Sequence, residues 1–271
     1  GTLMYFMGVA LIFFGALLVN KITGYKFRKS FFIMELPEYK LPSLKRATIS
    51  MLSRGKAYIV KAGTVILVCN TVVQIMQTFN WSFQPTDVAS ESILATIANP
   101  IAHRLVPIVG VLSWQMAAAA VTGFIAKENV VGTLAVCYGI SSLIDTEELA
   151  LAEGAGTEVA AVFAITKVAA LAYLMFNLFT PPCFAALGAM NAEIKSRKWF
   201  WGGIGLQLAT GYSVAYLVYT IGTLITAPES LNIPAAIGGG AFVLLFAAVL
   251  IVLCKKSDKQ LSASYALGGK K

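Results

Sequence analysis

The chain has 271 residues, of which 58% are hydrophobic and 13% charged, where an average soluble domain is about 25% charged. Its 21 Lys and Arg against 13 Asp and Glu give a net charge of +8, but the basic residues flank apolar runs, where they set topology and meet anionic lipid rather than nucleic acid. These figures exclude an ordinary cytosolic enzyme and a disordered chain, and leave an all-α, polytopic membrane helical bundle.

The first apolar run, Thr2 to Val19, has no basic segment before it and no small-residue cleavage site after it. It reads as a membrane span and not as a signal peptide. The segment from Lys21 to Lys56 is rich in Lys and Arg and is expected in the cytoplasm. Within it, Leu41, Leu44, Met51, Leu52, Tyr58 and Ile59 fall on one helical arc, with Lys45, Arg46, Arg54 and Lys56 at its flanks. That pattern suits a helix in the membrane interface, and equally a solvated linker helix. Ala57 to Phe79 is the second span, interrupted by Lys61.

The stretch from Asn80 to Gly110 carries one basic residue, Arg104, beside the only histidine, His103, and reads as an external loop. Val111 to Ile140 is apolar but holds Lys127 and Glu128 near its middle. The acidic segment Ser141 to Glu158 has no Lys or Arg and fits the external side. Val111 to Ile140 then enters and leaves on one face, as a re-entrant hairpin of two half-helices. A full span with the acidic segment inside is the alternative, because Asp and Glu orient weakly.

The next run, Val159 to about Met190, is too long and too broken for one simple helix. Lys195, Arg197 and Lys198 mark a cytoplasmic connection, followed by spans at Trp199 to Thr226 and Pro234 to Cys254. Gly202, Gly203, Gly205 and Gly211 fit close helix packing, and Trp199, Trp201 and Tyr219 fit anchoring at the interface. The division is a transmembrane helix over 1–20, a cytoplasmic linker with an interfacial helix over 21–56 and a membrane domain over 57–226. A terminal transmembrane helix over 227–254 and a disordered basic cytoplasmic tail over 255–271 complete it. The N-terminus of this chain is then external and the C-terminus cytoplasmic.

Two places break the rules of a membrane interior. The first is Thr122 to Thr133, where Lys127 and Glu128 are adjacent. An ionisable residue at membrane depth is costly unless it is paired or faces water. Glu128 is a candidate cation ligand, Asn129 and Thr122 candidate oxygen donors, and Lys127 the counter-charge when no cation is bound. Snorkelling of Lys127 and pairing of Glu128 with Lys127 or Lys167 would account for the same residues.

The second is Asn177-Leu178-Phe179-Thr180-Pro181-Pro182-Cys183. Each proline lacks the N–H that would bond four residues back, so the carbonyls of Asn177 and Leu178 are released and the helix unwinds at Thr180. The freed carbonyls together with the sulfur of Cys183 make a mixed donor set, with Asn177, Thr180 and Cys183 as candidate ligands, which suits a borderline transition metal such as Fe²⁺. A proline kink with an inert buried cysteine fits the same residues. Cys137 and Lys167 are further candidates for a pathway through the protein, with Pro181 and Pro182 as gating elements. Cys69 and Cys254 read as packed or lipid-facing, and no spacing implies a disulfide. No GxxxxGK[ST], HExxH or GxSxG motif occurs, so no nucleotide is expected to bind and no enzyme activity is assigned.

Phe32-Ile-Met-Glu35-Leu-Pro37-Glu-Tyr39-Lys-Leu-Pro42, Gly123-Phe-Ile-Ala-Lys-Glu128-Asn-Val-Val-Gly-Thr133, Pro182-Cys183 with Ala185-Ala186, and Ser196-Arg-Lys-Trp199 stand in order along the chain. Together they resemble the second Gate domain of FeoB, the bacterial ferrous iron transporter, and the cytoplasmic signature before it. The resemblance runs from about residue 30 to 225. It implies the C-terminal membrane half of a multi-pass Fe²⁺ permease of the bacterial plasma membrane, with Fe²⁺ as the transported ion and a fold like that of concentrative nucleoside transporters. It also implies that Cys183 is the Gate cysteine proposed to ligate iron, and that Ala126, Lys127 and Glu128 are the family's Ala-Lys-Glu motif. The family's GTPase domain and first Gate are not in this sequence. The expected partners are therefore Fe²⁺, the bilayer, that N-terminal half or another copy, and small cytoplasmic accessory proteins. A nucleoside or other small-solute carrier of similar fold and a non-transporting membrane scaffold are the alternatives.

Overall fold

A computed structural model of the chain describes residues 2–23, 43–86, 88–127, 129–138, 144–145, 150–151, 163 and 165–268. The Phe32 to Pro42 signature, Glu128 and most of the acidic segment lie outside them. The described residues form two compact units, Gly1–Ala57 with Phe242–Lys271, and Tyr58–Ala241.

In the first unit, α1 (Thr2–Thr23) turns Phe6, Ile12, Phe13 and Phe14 outward. None of its hydrophobic window is buried, as expected of a helix solvated by lipid. Lys21 meets Asp258 at 3.8 Å on an exposed surface, a pair worth little to stability. The interfacial helix and second span expected from the sequence are one continuous helix, α2 (Leu44–Thr78). Its residues divide between the two units at Ala57 and Tyr58.

In the second unit the stretch expected to be an external loop contains a helix, α3 (Ile93–Val109). Ser92 caps it by accepting the Ala95 N–H at 3.1 Å, and Gly110 closes it in the left-handed conformation at φ 82°. Pro100 and Pro107 lie inside this helix and mask it in the sequence, although Leu94, Ala98, Ala102 and Ile108 face the core. The chain then bends by 98° into α4 (Trp114–Ile125).

α4 is followed by α5 (Asn129–Tyr138) across a short break at Ala126–Lys127. Ser113 Oγ and Tyr138 Oη are 2.9 Å apart, and Thr122 Oγ1 and Thr133 Oγ1 2.8 Å apart. These pairings make the two arms antiparallel, so the segment folds back on itself as a hairpin. Arms of 12 and 10 residues, about 18 and 15 Å long, cannot each cross a hydrocarbon core of about 30 Å. Within the acidic segment Ile144–Asp145 (β1) and Ala150–Leu151 (β2) form a two-residue antiparallel ladder, a small addition to an otherwise helical fold.

The broken run expected after Val159 is α6 (Lys167–Phe179) and α7 (Phe184–Glu193), separated by Thr180–Cys183. α8 (Arg197–Thr226) and α9 (Ile233–Gly268) complete the chain. The tail read as disordered continues α9 instead; Lys255, Lys256, Lys259, Gln260 and Leu261 are good helix formers with no Pro or Gly among them. Four helical segments among the described residues are long and apolar enough to cross a membrane: Met4–Thr23, Lys167–Glu193, Arg197–Thr226 and Ile233–Lys259.

The core of the second unit is built from small side chains. Ala98 and Ala102 of α3, Ala117 to Ala119 of α4, Ala172 of α6 and Ala215 of α8 are almost fully buried. Such positions let helix backbones approach closely where no hydrophobic effect drives them together. Tyr173 Oη of α6 donates to the Met116 carbonyl of α4 at 2.7 Å and pins the hairpin to the broken helix. Tyr173→Phe is expected to cost about 1 kcal/mol, the net worth of one neutral hydrogen bond, read as a lowered melting temperature in detergent or nanodiscs.

Two glycine and aromatic expectations are corrected. Gly202, Gly203 and Gly205 have open space where a Cβ would stand, and only Gly211 of that group packs against another element. Tyr219, expected at the interface, is 4% exposed within the core.

Candidate cation site at two helix breaks

α6 begins at Thr166, whose side chain accepts the Ala169 N–H at 3.1 Å, and it stops because Pro181 and Pro182 follow. The last regular bond is Thr180 N–H to the Phe176 carbonyl at 3.0 Å. Thr180 is then extended, at φ −71° and ψ 165°. The carbonyls of Asn177 and Leu178 would have bonded to N–H groups at 181 and 182, which proline does not have. Pro181 is fully buried and Pro182 half-buried.

This break lies directly on α8. A Cβ at Gly211 would stand 2.9 Å from Phe179 C and Thr180 N. It also lies beside the hairpin, where a Cβ at Gly123 would collide with Val130 and reach Asn177 Oδ1 at 3.4 Å. Asn177 is held from its own helix, its Nδ2 donating to the Tyr173 carbonyl at 2.9 Å.

Lys127 joins the two breaks. From the tip of the hairpin its Nζ donates to the main-chain carbonyls of Asn177, of Leu178 at 3.1 Å and of Thr180 at 3.0 Å. An ammonium has three donors, and all three have acceptors here. The oxygens sit at the C-terminal end of α6, the negative end of the helix dipole, which favours a cation. Thr180 Oγ1 donates to the Asn177 carbonyl at 3.3 Å. Cys183, half-buried at the N-cap of α7, makes no side-chain capping bond and follows Thr180 by three residues.

The other candidates make no hydrogen bond to this cluster among the described residues. Asn129 is at the hairpin tip, but its Nδ2 donates to Asn70 Oδ1 of α2 at 2.6 Å. Thr122 is fully buried between the arms, on Thr133, which also receives Gln77 Nε2 at 3.4 Å. Cys137 is half-buried in α5, about 12 Å along the helix from Asn129. Lys167 is exposed in the first turn of α6, about 15 Å along the helix from Asn177. Glu128 lies outside the described residues. Among the described residues no group of three or more His, Cys, Asp or Glu is placed to hold a metal ion. The oxygen cluster is thus main-chain in character, with one thiol nearby. Sequence reasoning did not find Asn70, Gln77 and Tyr173, whose roles depend on contacts between helices distant in sequence.

The chain matches the family model for the Gate domain, described as nucleoside recognition, over residues 59–197, and that for the ferrous iron transport protein B C terminus over residues 2–54. It is 30% identical over 229 residues to the Fe(2+) transporter FeoB of Methanocaldococcus jannaschii, covering 82% of this chain and 32% of that protein. It is 27% identical over 233 residues to the Fe(2+) transporter FeoB of Staphylococcus aureus, covering 82% and 31% respectively. It is 28% identical over 259 residues to that of Salmonella typhimurium, covering 80% and 33%. The chain therefore spans about a third of the length of these relatives. No solved structure matches it. With the Gate model covering half of its length, a FeoB C-terminal model ahead of it, and a hairpin beside a broken helix, the chain belongs to the Gate family and corresponds to the C-terminal membrane portion of FeoB.

Proposed function

We propose that this chain forms the C-terminal half of a ferrous iron path, through which Fe²⁺ crosses the plasma membrane into the cytoplasm. The observation that carries the reading is the convergence of the Asn177, Leu178 and Thr180 carbonyls on one positive charge, at a break that also carries Cys183. Oxygen donors with one sulfur suit a borderline divalent cation better than Na⁺ or Mg²⁺. Irregular backbone of this kind, opposite a hairpin, is the general form of a transporter site. The names of the relatives support Fe²⁺ as the cargo.

In this reading Cys183, the carbonyls of Asn177 and Thr180, and Glu128, next to Lys127 in the sequence, contact the ion in turn, while Asn129 is held by Asn70. Thr122 and Cys137 belong to the hairpin arms. Lys167 stands at an end of α6. The N-terminus of this chain is external and the C-terminus cytoplasmic, from the Lys and Arg distribution. A GTPase domain and a first Gate, supplied by another part of the protein, complete the path.

The test is anaerobic radiolabelled Fe²⁺ uptake in cells lacking their own iron importers, with this chain joined to a GTPase-plus-first-Gate partner. Cys183→Ser and Glu128→Gln are each expected to lower uptake at least about tenfold at matched membrane levels, the scale seen when a metal ligand or its support is lost. Unchanged uptake in both variants would remove the ion from this site.

A further inference from the structure

The space in which the three carbonyls converge is already filled by a charged group of the chain itself. Lys127 Nζ donates to the carbonyls of Asn177, Leu178 and Thr180, and its three donors leave no further valence toward the cage. A metal ion using these oxygens would sit about 2.0–2.6 Å from them, in the volume the ammonium occupies and against a like charge. Ammonium and metal ion therefore exclude one another.

The tether carrying the ammonium is not part of a regular helix. Lys127 follows Ala126, which is extended at φ −148° and ψ 119°, and lies in the link between α4 and α5. Its side chain is half-buried, so the ammonium is not sealed in the core. The arms behind it are fixed, by Thr122 on Thr133 and by Tyr173 on Met116.

We propose that Lys127 is a tethered competitor for the cargo. Its ammonium closes the oxygen cage at rest, and a divalent cation enters only as Lys127 swings out. The proposal rests on the reading of this break as the ion's path and adds a regulatory element to it. The same lysine satisfies the two carbonyls that the prolines release.

The experiment uses the full chain in lipid nanodiscs with Mn²⁺ as an air-stable probe. Acylation of individual lysines by an amine-reactive reagent is followed by mass spectrometry. Mn²⁺ is expected to raise the labelling rate of Lys127 about tenfold, while that of exposed Lys167 stays constant; cation binding and lysine release are linked. In parallel, Lys127→Met is expected to shift the Mn²⁺ concentration for half-maximal thermal stabilisation at least about tenfold lower, and Lys127→Arg to keep the wild-type value. A Lys127 labelling rate that Mn²⁺ does not move would overturn the proposal and make the lysine a structural staple, and wild-type labelling decides even where Lys127→Met fails to fold. Release of Lys127 by Mn²⁺ in a protein that carries no Fe²⁺ in cells would uphold the competitor while rejecting iron as cargo. Cys183-dependent Fe²⁺ uptake with an immobile Lys127 would reject the competitor alone.

Discussion

Gly211→Val is expected to abolish ion uptake and to lower stability by about 2–3 kcal/mol, the scale of overpacking in a closed interior. The opposing effects are unequal. Replacing a helical glycine by a residue with a Cβ gains at most about 1 kcal/mol in backbone entropy. Here the first added atom would stand 2.9 Å from Phe179 C and Thr180 N, main-chain atoms that cannot rotate away like the end of a flexible side chain. The break must lift off α8, and the Asn177, Leu178 and Thr180 carbonyls move with it. Gly202→Ala and Gly203→Ala on the same helix meet nothing within 4 Å and are expected to leave uptake unchanged and to stabilise the protein by up to about 1 kcal/mol. Melting curves and uptake of the three variants together are the check. A Gly211→Val protein that transports and melts normally would show that the break does not need its seat on α8.

The difference between Gly211 and its neighbours also shows where sequence reading stops. Four glycines within one span share the same local meaning, and only tertiary packing singles out the one that carries a contact. The hairpin and the broken helix were more accessible. Lys127 and Glu128 interrupt an apolar run, and two prolines name the carbonyls they release, because the missing N–H groups act at a set distance along the chain. The destination of Lys127 was not accessible in the same way. Its acceptors lie 50, 51 and 53 residues further on, and nothing local distinguishes a lysine that snorkels from one that reaches a helix end across a bundle. Asn129 likewise looks free in the sequence and is bonded to Asn70 of α2.

α3 was hidden for another reason. Counting Lys and Arg orients segments but does not separate a short buried helix from a loop, and Pro100 and Pro107 weaken the periodic pattern. Its ends were nevertheless marked by Ser92 and Gly110, the usual residues of an N-cap and a left-handed C-cap. The consequence is functional. α3 and α4, bent by 98°, carry the hairpin on a packed support of alanines, so the position of Lys127 is set by the core and not by a loose loop.

Replacing both prolines, Pro181→Ala with Pro182→Ala, is expected to eliminate uptake while raising helical content. Alanine returns an N–H at each position, and these bond to the carbonyls of Asn177 and Leu178. Helix propensity favours the change by about 3 kcal/mol per proline, enough to fuse α6 and α7 into one helix from Lys167 to Glu193, about 40 Å long. The oxygens then belong to the helix, and Lys127 loses two of its three acceptors. A half-buried ammonium that has lost two of its three acceptors is less well held, so the fused helix is expected to push Lys127 outward, and with it the tip of the hairpin. The single variants separate the steps: Pro181→Ala withdraws the Asn177 carbonyl alone and Pro182→Ala that of Leu178. Circular dichroism reports the fusion, lysine labelling the displacement, and Fe²⁺ uptake the consequence. If helical content rises and uptake persists, the ion does not use the carbonyls at this break. If uptake falls in the order of carbonyls lost, the unwound turn is what the cation binds, and the prolines are held in the chain for the oxygens they release.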